Sequence, residues 1–269
     1  MPTRYNGTLT VKSLRTQQNM RKNKTNENVL RVIGRITTLI PRWAYPVLRG
    51  HLKGVKFVFG SHAGECGGIS VYANCAEPEQ LDALSNALQP GQVFFDIGAN
   101  VGLYTMLASR GVGPTGKVIA IEPDVRNLSH LYKHACLNKA TNITILPGAC
   151  ADQCKLQVFV FGTNYATGHL AQEGNMCTDQ SVPVLCVSVD AIVDTMDVMP
   201  DIMKIDVEGA EMDVLKGAEN VLRRRKPKIF LSTHSKELRS GCIDYLEKLG
   251  YQIKPLIKDI NHASEFVAT

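Results

Sequence analysis

Short apolar runs alternate with stretches of helical periodicity along the chain after residue 92. The runs at residues 93–97, 118–122 and 143–146 have the length of buried strands. Between them, residues 103–109 and 128–135 carry apolar side chains three and four positions apart, as in an amphipathic helix. Strands that alternate with helices are typical of a parallel sheet with crossover helices. The pattern predicts a Rossmann-like α/β fold, a mostly parallel twisted sheet flanked by helices.

The later part of the chain supplies the remaining predicted elements. Residues 156–161 and 182–187 are predicted to be extended, and the Gly- and Asn-containing residues 163–181 form a predicted insertion. The sheet is completed by predicted strands at 202–207, 228–232, 251–256 and 265–268, with helices around 214–222 and 243–249.

The first 90 residues do not follow this pattern and predict two further regions. Residues 1–27 are polar and basic with few apolar anchors, so we expect a mobile tail. Residues 28–40 predict an amphipathic helix that packs across the main domain or makes peripheral contact with an anionic membrane surface. We therefore divide the chain into this tail, a helical or irregular extension at 28–90, and one ligand-binding domain at 91–269.

Composition places the chain among ordinary globular proteins, with 44% hydrophobic and 20% charged residues. The net charge of +5 is modest and much of the excess lies in the tail, which favours a local basic segment over a nucleic-acid-binding protein. Eight cysteines without a Cys-x-x-Cys pair favour free thiols over a zinc cluster. No apolar leader and no run of about 18 apolar residues is present, so we expect a cytoplasmic location.

The most informative segment is the turn after the first predicted strand, where Asp96 is followed by Gly98, Asn100 and Gly102. Glycines in such a turn let a ligand approach the backbone, and the next helix directs its amide groups to the same crevice. The Gly-x-x-x-Gly spacing differs from the Gly-x-Gly-x-x-Gly pattern of dinucleotide binding. An acidic residue at the strand end suits a cationic ligand such as S-adenosylmethionine, and a purely structural tight turn is the alternative.

Two further carboxylates follow the next two predicted strands. Glu122 lies 20 residues after Gly102, where an acidic residue accepts hydrogen bonds from ribose hydroxyl groups in nucleotide-binding crevices. Asp152 follows the third strand, and we interpret it as a ligand of the adenine amino group or as a solvated turn residue. Both positions extend the predicted cofactor crevice.

Four segments of the chain match a family pattern: Phe95-Asp96-Ile97-Gly98-Ala99-Asn100-Val101-Gly102-Leu103-Tyr104-Thr105, Ile121-Glu122-Pro123, Asn138, and Lys204-Ile205-Asp206-Val207-Glu208-Gly209-Ala210-Glu211 with the following Val214-Leu215-Lys216-Gly217. On these segments the chain resembles the FkbM family of S-adenosylmethionine-dependent methyltransferases, over roughly residues 90–257. The last segment is the most distinctive.

The resemblance implies a class I methyltransferase fold with S-adenosylmethionine as cofactor. It also implies positions around the methionine moiety and the ribose, and the predicted cofactor set is Asp96, Gly98, Asn100, Gly102, Tyr104, Thr105, Glu122 and Pro123, with Asp152 added from the strand pattern. The chain departs from the family at residues 231–234, Leu-Ser-Thr-His, where many relatives carry a Glu near the His.

Predicted catalytic residues end two other strands. Asp206 and Glu208 lie where a strand turns into a helix, and His234 follows the next strand, at the sheet edge where open α/β folds place their ligands. Carboxylates at a helix N-terminus are also stabilised by the free amides, which is the structural alternative. A hydroxyl acceptor needs a base, for which Asp206 or His234 is predicted, with Glu208 assisting. Asp206, Glu208 and His234 are oxygen and nitrogen donors, so a metal-assisted reaction is an alternative, but no ligand spacing demands a metal and none is predicted.

These features predict methyl transfer to a hydroxyl oxygen of a small molecule, sugar, or glycan or lipid intermediate. A nucleic-acid methyltransferase is less favoured, because the chain lacks both the Asn/Asp-Pro-Pro-aromatic loop and the Pro-Cys nucleophile. A nicotinamide-dependent oxidoreductase is disfavoured by the missing middle glycine. A non-catalytic S-adenosylmethionine-binding module stays open, because a fold alone does not determine function.

Overall fold

A computed structural model describes residues 41–61, 69–73, 76–162, 167–171, 180–256 and 264–269. The predictions of a mobile tail at 1–27 and an amphipathic helix at 28–40 lie outside the described residues, as does most of the predicted 163–181 insertion. No helix within the described ranges combines the length and apolar character needed to cross a bilayer.

The described strands, in chain order, are β1 (Ala44–Pro46), β2 (Lys56–Val58), β3 (Val93–Ile97), β4 (Lys117–Glu122), β5 (Ile143–Pro147), β6 (Ala149–Cys150), β7 (Lys155–Val160), β8 (His169–Leu170), β9 (Ser181–Val187), β10 (Ile202–Ile205), β11 (Lys228–Ser232), β12 (Ile253–Pro255) and β13 (Glu265–Ala268). The described helices are α1 (Ile69–Tyr72), α2 (Pro78–Ala87), α3 (Leu103–Val112), α4 (Val125–Leu137), α5 (Val189–Met196), α6 (Glu211–Lys216), α7 (Glu219–Arg224) and α8 (Lys236–Lys248).

Seven strands form the main sheet in the order β12-β13-β11-β10-β3-β4-β5. Strands β5, β4, β3, β10 and β11 are parallel, and β13 runs antiparallel to both β11 and β12. The chain builds outward from β3 to β5, then returns to add β10 on the other side of β3. This reversal opens a crevice at the carboxyl ends of β3 and β10, the usual ligand position in open α/β sheets.

Helices cover both faces of the sheet, as the alternation of buried residues along β3 requires. Phe95 and Ile97 pack into a core with α5, α6, α7 and α8. The neighbouring Phe94 faces the other way, into a core with α2, α3 and the β1–β2 hairpin. The Rossmann-like α/β fold predicted from the sequence, a mostly parallel sheet flanked by helices, is confirmed.

A separate four-stranded sheet, in the order β6-β9-β7-β8, holds the two segments predicted to be extended before residue 190. Its long strands β7 and β9 pair antiparallel. Phe159 and Val184 point into a small core of their own, whereas the paired Leu156 and Leu185 are exposed.

Three details differ from the sequence-based expectations. The strand predicted at 202–207 ends at Ile205, because Glu208 and Gly209 turn the chain with φ of 52° and 111°. The helix predicted around 214–222 is two short helices, α6 and α7, that break at Gly217. The N-terminal extension contains the β1–β2 hairpin, which the sequence did not indicate.

Candidate active site

A cavity of about 350 Å³ opens at the carboxyl ends of β3, β4, β10 and β11. One end is walled by the turn after β3 and by Glu122, and the other by residues that follow β10 and β11. The N-terminal extension also contributes to the wall, through Ser70, Val71 and Glu77. The predicted site residues that line the cavity are Gly98, Asn100, Tyr104, Glu122, Pro123, Asp206, Glu208 and His234.

The turn after β3 is held against the ends of the neighbouring strands. Backbone amides of Gly98 and Ala99 both donate to the carbonyl of Ile121. Gly98 has φ of 83°, and a Cβ atom there would lie 1.8 Å from the carbonyl oxygen of Asp206. Gly102 has φ of 96°, and its Cβ would meet Leu131 at 2.6 Å. Packing against backbone therefore requires glycine at position 98, whereas at position 102 the positive φ is the stronger reason, because Leu131 is met only by the end of its side chain.

Glu122 is buried at the end of β4, and its carboxylate is fixed by three N–H donors. Oε2 accepts from the backbone amide of Asn100 at 2.7 Å. Oε1 accepts from the amide of Asp124 at 2.9 Å and from the side chain of Asn127 at 3.3 Å. Burial raises the pKa of Glu122 to about 7 in spite of these donors. The position thus presents one oriented carboxylate to the cavity.

Asp96 lies beneath the cavity rather than in its wall, and is 1% exposed. Its Oδ2 accepts from the hydroxyl of Thr105 at 2.5 Å, whereas Oδ1 is buried with no hydrogen-bond partner among the described residues. Burial raises the pKa of Asp96, and Lys204 opposes this. Asp96 and Thr105 therefore support the floor of the cavity.

Lys204 is a site residue that the sequence analysis missed. Its side chain is 2% exposed, and Nζ donates to Asp206 Oδ2 at 2.7 Å and lies 4.4 Å from the centre of the Tyr104 ring. Burial alone would lower the pKa of Lys204, but Asp206 and Asp96 raise it. A lysine inside a four-residue apolar strand was the available signal, since lysine is almost never buried without a partner.

Two glutamates were also missed. Glu77, which precedes α2, accepts a hydrogen bond from the hydroxyl of Tyr104. Glu265, at the start of β13, lines the cavity, and burial together with the nearby Glu77 raises its pKa to about 7. Neither glutamate lies in a sequence motif, so only the fold brings them to the site.

Asp206, Glu208 and His234 meet at the far wall of the cavity, as predicted from their positions at strand ends. His234 Nε2 lies 3.5 Å from Asp206 Oδ1 and 3.4 Å from Glu208 Oε1. The other imidazole nitrogen, Nδ1, lies 2.5 Å from Glu211 Oε1, and Glu211 is fully buried. Each of the three wall residues offers one ligand atom, and these atoms all lie within 4.8 Å of one another.

The charges in this cluster interact strongly. The neighbouring carboxylates of Glu208 and Glu211 raise the pKa of His234 to about 10. Burial would raise the pKa of Asp206, but the ammonium group of Lys204 outweighs it and lowers the value. The surrounding carboxylates thus favour the protonated imidazole over the neutral form.

Two further predicted cofactor residues are absent from the cavity wall: Gly102, which lies in the turn after β3, and Asp152. Asp152 forms an ion pair of 3.1 Å with Lys155 at the surface, and the cavity wall contains Gly148, Ala149 and Cys150 instead.

The five described cysteines, which include Cys150, are free thiols, in line with the expectation from their spacing.

The family model of the methyltransferase FkbM domain matches residues 96–253, more than half of the chain. The chain belongs to the FkbM methyltransferase family. The matched range of this family member includes the turn after β3, Glu122 and the cluster at Asp206, Glu208 and His234, and it confirms the resemblance noted from the sequence.

This FkbM-family chain is similar to one named relative and to one solved structure. It is 25% identical over 150 residues to the hexuronic acid methyltransferase AglP of Haloferax volcanii, covering 55% of this chain and 58% of the relative. The crystal structure of methyltransferase FkbM from Methylobacillus flagellatus aligns with a TM-score of 0.51 at 21% identity, covering 74% of this chain and 53% of that one. The chain thus spans a little over half the length of each relative. The structural match shows the shared fold.

Proposed function

We propose that this protein binds S-adenosylmethionine in the cavity and transfers the methyl group to a hydroxyl oxygen of a small molecule or saccharide. The observation that carries the proposal is Glu122, a buried carboxylate oriented by the amides of Asn100 and Asp124 at the carboxyl end of β4. An acidic residue in that place accepts hydrogen bonds from ribose hydroxyl groups. Family membership supports the same assignment.

The residues around Glu122 fit an adenosine-bearing cation. Glu122 Oε2 accepts one hydrogen bond from the protein, and a carboxylate oxygen has capacity for a second. Asp96, beneath the turn, keeps one buried oxygen without a partner among the described residues, which adds negative potential under the floor. The apolar Leu103, Ile121 and Phe159 contribute to the wall against which a base can pack. This lining suits a nucleoside with a positively charged tail.

When bound, S-adenosylmethionine supplies an electrophilic methyl group on a sulfonium. The protein's part is to align the acceptor oxygen with that group and to exclude water, which lowers the barrier chiefly through orientation. The cluster at Asp206, Glu208 and His234 forms the wall opposite Glu122 and receives the proton of the acceptor hydroxyl. The carboxylates of Asp206 and Glu208 are the proposed proton acceptors, and His234, whose Nε2 lies 3.5 and 3.4 Å from them, is held beside both by Glu211.

The acceptor side of the cavity is rich in hydroxyl and carboxylate groups. Ser70, Ser232, Thr233 and Ser264 line the cavity, and Glu77 and Glu265 lie there as well. Such groups form hydrogen bonds with polyhydroxylated molecules, so we propose a saccharide or a glycan or lipid-linked intermediate as the acceptor. The name of the relative AglP, a hexuronic acid methyltransferase, points to the same class.

The test is methyl transfer from tritiated S-adenosylmethionine to a panel of neutral saccharides, hexuronic-acid saccharides and transfer RNA. We expect a base-stable methyl ether on a saccharide, and a loss of at least 100-fold in Glu208→Gln. Asp213→Asn, at an exposed carboxylate on α6, is the matched control and is expected to retain activity. Labelling of RNA alone would favour the nucleic-acid alternative, and binding without transfer to any acceptor would favour a regulatory module.

A further inference from the structure

The far wall of the cavity gathers more negative charge than its basic groups balance. Asp206, Glu208 and Glu211 all approach one imidazole, that of His234. The nearby ammonium group of Lys204 is directed to Asp206 Oδ2, away from the Oδ1 atom that faces His234. Glu211 is fully buried, and its Oε2 has no hydrogen-bond partner among the described residues. One fully buried carboxylate beside two partly exposed ones favours a further cation nearby.

His234 is oriented for coordination by a carboxylate behind it. Glu211 Oε1 accepts a hydrogen bond from Nδ1 at 2.5 Å and from the backbone amide of Gly209 at 3.1 Å, so its position is fixed from two sides. A carboxylate on one imidazole nitrogen sets the tautomer and aims the other nitrogen at a metal, as in carboxylate–histidine–metal triads. In His234 the aimed atom is Nε2, which faces Asp206 and Glu208.

The distances fit a cation between these atoms better than a shared proton. A charged N–H···O hydrogen bond has a length of about 2.7–2.9 Å. The separations from Nε2 are 3.5 Å to Asp206 and 3.4 Å to Glu208. Two atoms each about 2.1 Å from one ion lie about 3.0–3.5 Å apart when they subtend 90–110° at it. All three side chains are about 30% exposed and line the cavity, so an ion can reach them.

We propose that Asp206, Glu208 and His234 bind a divalent cation of the Mn²⁺ class in the wall of the cavity, with Glu211 as the residue that positions His234. Two carboxylate oxygens and one imidazole nitrogen form a mixed donor set, intermediate between the all-oxygen preference of Mg²⁺ and the sites of softer metals. The coordination positions on the cavity side are left for water or for oxygens of the acceptor. This role in orienting the acceptor rests on the proposed function, whereas the binding of the ion does not.

The experiment measures Mn²⁺ binding to the metal-stripped full chain by electron paramagnetic resonance, without S-adenosylmethionine. We expect one bound Mn²⁺ per chain in the wild type. Glu208→Gln removes a ligand and is expected to weaken binding at least 10-fold. Glu211→Gln leaves the ligands intact but is expected to weaken binding by about 10- to 100-fold, the usual effect of losing such a supporting carboxylate. Asp213→Asn, on the same helix as Glu211 but exposed, is expected to bind Mn²⁺ like the wild type.

Absence of stoichiometric Mn²⁺ binding to the wild type would overturn the inference, and so would equal affinity in wild type and Glu208→Gln, which would place the ion elsewhere. Circular dichroism verifies that each variant is folded. Calorimetry with S-adenosylmethionine on the same samples separates the two proposals. Cofactor binding without Mn²⁺ binding would overturn the cation site and leave the methyltransferase assignment supported. Mn²⁺ binding without cofactor binding would support the cation site and contradict the methyltransferase assignment.

Discussion

At the scale of single residues, the site depends on charged groups that are buried and held by a few specific partners. Glu122, Asp96 and Lys204 are each less than 5% exposed. The first two were predicted from the sequence because each lies in or at the end of an apolar strand, in a family segment. Lys204 also lies in an apolar strand and a family segment, but it was not predicted, because its contacts with Asp206 and Tyr104 appear only in the folded structure.

We predict that cofactor affinity depends on pH through Glu122. Its pKa of about 7 means that half of the carboxylates are protonated near neutrality, and only the ionised form leaves Oε2 free to accept a hydrogen bond from a ribose hydroxyl. Affinity for S-adenosylmethionine should therefore fall up to 10-fold per pH unit below pH 7 in the wild type. Glu122→Gln should bind more weakly at pH 8 and show a flatter pH profile by calorimetry. Parallel profiles for the two proteins would contradict this role.

Loss of the buried ammonium group of Lys204 should lower the free energy of unfolding far more than loss of the exposed ammonium group of Lys216. Lys204→Met leaves Asp206 and Asp96 without their shared cation, and loss of one partner of a buried ion pair typically costs about 3–5 kcal/mol. Lys216→Met, which removes an exposed pair with Asp213, should cost less than about 1 kcal/mol. Urea unfolding measures both free energies. Similar values for the two variants would show that the Lys204 network contributes little.

At the scale of elements, the close approach of two strand ends shapes the cavity. The turn after β3 passes directly over the carbonyl of Asp206 at the end of β10, and only glycine fits at position 98. The family segments predicted both strand ends, but the contact between them comes from the sheet order, in which β10 pairs with β3.

Gly98→Ala should destabilise the protein through this contact, with Gly54→Ala as a matched control. Both glycines have φ near 85°, but Gly54 has nothing within 4 Å of its added Cβ. We expect about 1 kcal/mol of destabilisation at Gly54 from backbone strain alone, and about 3–4 kcal/mol at Gly98, where overpacking adds to the strain. Urea unfolding again gives the comparison. An equal loss of unfolding free energy in Gly98→Ala and Gly54→Ala would argue against the tight contact at Gly98.

Sequence periodicity predicted the strands of the main sheet well, because buried parallel strands are continuous apolar runs. The bounds of β3, β11 and β13 agree with the prediction. It did not separate α6 from α7, because the apolar period continues across Gly217. It also missed the β1–β2 hairpin, whose three-residue strands are too short to show alternation. The pairing of β7 with β9 in a second sheet depends on long-range contacts that a local pattern does not contain.

At the scale of the whole molecule, the N-terminal extension is joined to the cofactor turn through one buried histidine. His134 Nε2 accepts from the backbone amide of Val58 in β2, and Nδ1 donates to the carbonyl of Val101 in the turn after β3. The extension also brings Glu77 to the cavity. The proposed division at residue 90 therefore separates regions that share one site.

Protonation of His134 should weaken this link. Burial lowers the pKa of His134 to about 4, so the unfolded chain binds its proton first, and stability that is complete above pH 6.5 is lost as the pH falls towards 4. The nearby basic groups, His130 and Lys133, act in the same direction. The stability difference between wild type and His134→Gln should shrink by roughly 2 kcal/mol from pH 7.5 to pH 5. Both proteins contain Glu122, whose raised pKa changes stability with pH in the opposite direction, so its effect cancels in the difference between them. A difference that stays constant from pH 7.5 to pH 5 would contradict the prediction.

The central claim is that the crevice between the turn after β3 and Glu122 holds S-adenosylmethionine. Calorimetry of the wild-type chain with S-adenosylmethionine, S-adenosylhomocysteine and NAD at pH 8 tests this claim most directly. The account predicts stoichiometric binding of the first two, a clear loss of affinity in Glu122→Gln, and no binding of NAD. Binding of NAD alone, or binding of S-adenosylmethionine that Glu122→Gln leaves unchanged, would contradict it.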